Sequence, residues 1–99
     1  MWRYSLQVIR NFAHKGLERF FRTGSRGGIN PRFAGKLRLQ LSALDAAREA
    51  GQMDVPGWQL HELKGEMAGQ WAVSVNGNWR LSFRFLGEDA EIIDLQDYH

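Results

Sequence analysis

The chain has 99 residues, 43% hydrophobic and 24% charged, enough for one domain with one core and too apolar for a disordered tract. With no cysteine it can hold no disulfide framework, thiolate nucleophile or zinc finger, and no apolar run reaches the roughly 18 residues of a membrane span. The net charge of +2 hides an asymmetry, because residues 1–48 carry a balance of +8 and residues 49–99 one of −6. That points to a basic surface for a polyanion, nucleic acid first.

Trp2, Tyr4 and Leu6 alternate only weakly, and Val8 to Phe12 reads as a short strand. From Lys15 the spacing becomes helical, with Leu17, Phe20 and Phe21 on one face and Gly24 suited to a left-handed cap. Ser25 to Ile29 is a flexible loop, too short and too unlike a phosphate-binding loop for a nucleotide role. Asn30-Pro31 opens a second helix, whose buried stripe is Phe33, Ala34, Leu37, Leu41 and Leu44, fading by Ala50-Gly51. Arg32, Lys36 and Arg38 lie elsewhere on its circumference.

After the Pro56-Gly57 turn, Trp58 to Leu63 reads as a strand. Trp71 to Phe85 is a hairpin around Asn76-Gly77-Asn78. A two-residue Asn76-Gly77 loop would pair Val73 with Arg80 and mix apolar and polar residues on each face. A three-residue loop pairs Val75 with Trp79, Val73 with Leu81 and Trp71 with Phe83, so burial favours that register. One face then carries Trp71, Val73, Val75, Trp79, Leu81, Phe83 and Phe85. The other carries Gln70, Ala72, Ser74, Arg80, Ser82 and Arg84, either a solvated surface or a positively charged floor for an anion. A turn at Gly87 to Asp89 leads to a last strand, Ala90 to Leu95. The order predicts an α+β domain, two N-terminal helices packed on a mainly antiparallel sheet.

Few groups can move protons. His14 reads as an exposed helix-entry residue. His61 alternates with the inward Leu60, which turns it toward the polar face, and Lys64 follows in a glycine-bounded loop. Asp97, Tyr98 and His99 would hang over the sheet end near His61 if the last strand is tied in. His and Asp beside Lys64 and Arg80 would combine acid/base groups with cations for a phosphorane-like transition state, the equipment for cleaving RNA through its own 2′-hydroxyl. No metal is required, no ligand cluster stands out and no cofactor is expected.

Four segments together resemble the HigB-type plasmid-maintenance toxins of the RelE superfamily. They are His14-Lys15-Gly16-Leu17, Leu60-His61-Glu62-Leu63-Lys64-Gly65, the run from Gly69 to Phe83, and Asp97-Tyr98-His99. The resemblance implies a microbial RNase-type fold and a cytoplasmic, ribosome-dependent endoribonuclease (an mRNA interferase) that cuts mRNA in the decoding site. It also implies a helix-turn-helix HigA-type antitoxin that joins the toxin on operator DNA. By position, His61 and Asp97 correspond to acid/base residues, Tyr98 and His99 to groups that orient RNA or assist proton transfer, and Lys64 and Arg80 to cations near the scissile phosphate. Arg84 adds charge to the floor, and Lys36 and Arg38 would hold ribosomal RNA electrostatically.

Three departures stand out. Glu62 replaces a common Pro and would favour a charged His61. Leu95-Gln96-Asp97 replaces a common Tyr-Glu-Asp, and Met1 to Gln7 precede the usual family start as an expected extension of the single domain. Two other classes fit the same charge pattern: a non-catalytic module that inhibits translation by occupancy, and a co-repressor acting with its antitoxin.

Overall fold

A computed structural model describes residues 9–97, so the Met1–Gln7 extension and the terminal Tyr98 and His99 lie outside the described residues. Helix α1 spans Lys15–Thr23. It starts where His14 turns extended and its Nδ1 accepts the Leu17 N–H at 3.0 Å, so His14 is a cap rather than a bystander. It stops at Gly24, where φ is 81° and the N–H returns to the Phe20 carbonyl. Helix α2, Ala34–Ala46, follows a single 3-10 turn at Pro31–Phe33, and Asn30 accepts the Arg32 N–H at 2.9 Å. Further 3-10 turns at Ala50–Met53 and Gly65–Met67 complete the helical elements among the described residues.

The loop between the helices is not simply flexible. A Cβ on Gly28 would stand 2.5 Å from the Gly16 Cα, and one on Gly16 would stand 2.6 Å from the Gly28 oxygen. Backbone meets backbone there, and neither side can yield cheaply. Gly28→Ala should therefore cost about 1–3 kcal/mol, checked by urea unfolding, although both residues have ordinary φ values.

Four antiparallel strands follow in chain order: β1 His61–Glu62, β2 Trp71–Asn76, β3 Trp79–Leu86 and β4 Asp89–Asp97. Trp71 faces Phe83 and Val73 faces Leu81, as the burial pattern required. The tip differs from expectation. Asn76 pairs with Trp79 across a two-residue Gly77-Asn78 turn, and the register shifts between Ser74 and Asn76. Val75 is thus a one-residue bulge rather than the partner of Trp79, which preserves the parity of everything beyond it. The buried Gln40 side chain reaches this bulge from α2, Nε2 donating to the Ser74 carbonyl at 2.8 Å.

The expected Trp58–Leu63 strand contracts to His61–Glu62 because Gln59 adopts φ 55°. Its flanks stay bonded to β2 and the residue before it, through Ser74 N–H to Trp58 O and Leu63 N–H to Gln70 O. The expected Val8–Phe12 strand appears as two isolated parallel bridges to β4, Ile9 with Ala90 and Phe12 with Ile93. Opposite them β4 is irregular: Ile92 has φ 49°, and its N–H is taken by Asn11 Oδ1 at 2.7 Å. Both helices lie on one sheet face, where Leu17, Leu37, Leu41 and Leu44 pack with Val73, Leu81, Phe83 and Ile93. Phe33 sets its ring 5.7 Å from Trp79. The architecture is α+β with an antiparallel four-stranded sheet, and its second face is left for other uses.

Candidate functional site

Residues directly opposed across strands share a face. His61, Ala72, Ser82 and Asp94 therefore form one row on the face away from the helices, and Ser74, Arg80 and Gln96 form the next. Ala72 and Ser82 are 0% exposed, so this floor is not the thin solvated surface that small residues suggested. Polar groups stand around that closed strip.

His61 is exposed, with Nδ1 2.9 Å from the Gln59 carbonyl. A carbonyl only accepts, so Nδ1 carries the proton in this contact, and in the neutral ring the lone pair is on Nε2. The left-handed Gln59 backbone accompanies that orientation. Glu62 does not reinforce it: it pairs with Trp71, so strand alternation turns it to the opposite face. Lys64 is exposed where the Gly65–Met67 turn begins. Arg80 is half-buried, its Nη1 donating to the Gly77 carbonyl at 2.8 Å and the Trp79 carbonyl at 3.2 Å, and its Nε is enclosed without a partner. The turn thus fixes one edge of the guanidinium.

The remaining expected site residues disperse. Arg84 donates to Glu91, through Nε at 3.0 Å and through Nη2, so its charge is compensated on the protein. Lys36 and Arg38 belong to α2, in the layer behind the sheet, and the Arg38 guanidinium lies 5.7 Å over the Phe20 ring. Asp97 pairs with Trp79 and so falls on the helix-side face. It lines a cleft of ≈ 380 Å³ with Asn30, Arg32, Phe33, Asn78 and Trp79 at the hairpin tip. His61 and Asp97 are thus separated by the sheet's full width and by its two faces, against the expectation that they meet over one phosphate. Sequence reading also missed the Ser82–Gln96–Asp94 group on His61's own face, although alternation from the inward Leu95 turns Gln96 outward.

An imidazole and an anchored guanidinium on an antiparallel floor, with Ser82 and Gln96 beside the Asp94 carboxylate, suit an extended anion, and comparison with known proteins agrees in kind. The chain belongs to the HigB-like toxins, RelE-like toxins of type II toxin–antitoxin systems, whose family model matches residues 10–99. It is 37% identical over 92 residues to the Endoribonuclease HigB of Proteus vulgaris, an alignment covering 93% of this chain and 100% of that protein. As a type II toxin it has an antitoxin partner.

Proposed function

We propose that the chain is an endoribonuclease of the microbial RNase type that cleaves ribosome-bound mRNA in the decoding site, in the cytoplasm. A HigA-type antitoxin neutralises it and carries it to operator DNA. The observation that carries this reading is His61. Its Nδ1–H is held by a backbone carbonyl while Nε2 stands open on the face that bears Arg80.

In the proposed reaction Nε2 accepts the proton of a ribose 2′-hydroxyl. That oxygen bonds to the adjacent phosphorus, the P–O5′ bond breaks, and the leaving 5′-oxygen takes up a proton from water, while Tyr98 and His99 are assigned to orienting the RNA. Lys64 and Arg80 hold the phosphate as negative charge builds on its oxygens. Asp97 acts from the hairpin-tip cleft, orienting the strand that leaves the floor. Lys36 and Arg38, on the helical layer, meet ribosomal RNA, and Arg84 supports the floor through Glu91.

The test is to map RNA 5′ ends in cells expressing the chain with and without its antitoxin. Discrete new ends within codons, absent when the antitoxin is co-expressed, are the expected result. Arrested growth with intact mRNA would favour inhibition by occupancy, a reading to which the separation of His61 and Asp97 gives some force. Because its phosphate contacts release counterions, RNA affinity should fall steeply between low and physiological salt, measurable by anisotropy titration.

A further inference from the structure

We propose that Gln96 is a specificity-determining residue, whose amide oxygen accepts a hydrogen bond from the amino group of a base, adenine N6 or cytosine N4, beside the phosphate on Arg80. This deepens the nuclease reading and rests on it. Gln96 stands directly opposite Arg80 on the face that carries His61. Its Nε2 donates to Ser82 Oγ at 3.1 Å and lies 3.4 Å from Asp94 Oδ2. Asp94 is itself oriented, with Oδ1 accepting the Leu95 N–H at 2.8 Å.

These contacts leave the amide one way to point. A carboxylate offers only lone pairs, so a flipped amide would set Oε1 against Asp94. The Ser82 hydroxyl can accept or donate, so Asp94 alone sets the orientation. Gln96 itself is only half-buried, no group among the described residues donates to Oε1, and that oxygen is not enclosed. The floor therefore presents a fixed acceptor next to a fixed cation. An acceptor distinguishes bases at one position: adenine and cytosine carry N–H donors where guanine and uracil carry carbonyl oxygens. The first pair gains a hydrogen bond, and the second meets a repelling lone pair.

The test uses the full chain and short RNAs differing at one base, adenosine against inosine and cytidine against uridine, read by binding and by cleavage on programmed ribosomes. The unaltered chain should favour the amino-bearing base at one position by about tenfold, the scale of a single hydrogen bond. Gln96→Met, similar in length but without the acceptor, should lose that preference while keeping its melting temperature and its affinity for purine riboside. A Met variant that weakens every RNA equally, or keeps the preference, overturns the proposal. Discrimination in binding without any cleavage by the unaltered chain would overturn the nuclease reading and leave Gln96 as the base reader.

Discussion

His61→Ala should lower RNA cleavage by roughly 10²–10⁴-fold, the range supplied by one positioned proton-transfer group. Growth arrest on expression should vanish with it. Stability should barely change, since the ring is exposed and its one contact is a surface hydrogen bond to Gln59, within about 1 kcal/mol. Those two readouts must separate. His61→Gln sharpens the test: its amide can occupy much of the same space and donate to the carbonyl, but it cannot take a proton at neutral pH. Loss of activity in both variants with unchanged unfolding midpoints is expected. Retained cleavage in either would remove His61 from the chemistry.

Arg80→Ala should produce the second largest loss, on the order of 10²-fold in cleavage, comparable to removing one preorganised transition-state donor. The side chain does two jobs. One edge of its guanidinium binds the Gly77 and Trp79 carbonyls, and the rest stays charged beside Gln96 and Ser74. Arg80→Lys keeps the charge but has no fork to span the turn and the phosphate at once. It should recover part of the RNA affinity and its salt slope without recovering the rate. Full recovery by Lys would mean that charge alone suffices and that the turn anchors nothing of catalytic value.

Local signals in the sequence were dependable where one residue decides the outcome. Gly24 ends α1 and Asn30-Pro31 starts the second helical segment because each acts on its own neighbours. Hairpin parity was legible too, since an error of one residue would have exposed Val73, Leu81 and Phe83 together. The tip escaped because the bulge at Val75 is accompanied by Gln40, 34 residues before the Ser74 carbonyl it binds. Gln59 and Ile92 at positive φ carry no local mark, and the Gly16–Gly28 approach joins a helix to a loop read as slack.

The site was half legible. His61, Lys64 and Arg80 stand out by residue type and alternation. The place of Asp97 was also readable, because it lies two residues beyond the inward Leu95 and so shares its face, while Gln96 between them does not. Chemistry pointed to the carboxylate, and strand geometry pointed to its neighbour.

The sheet closes by bringing the last strand back to the first described segment: Asn11 binds Ile92, 81 residues away. No shorter nascent chain can make that closure, and β4 supplies Gln96 and Asp97 as well as half of the Arg84–Glu91 pair. Until β4 is available, the polypeptide has an incomplete floor and an open core edge. The pairing that completes the floor and the core edge is thus the one most distant in sequence among the described contacts, and it is the slowest for a growing chain to reach.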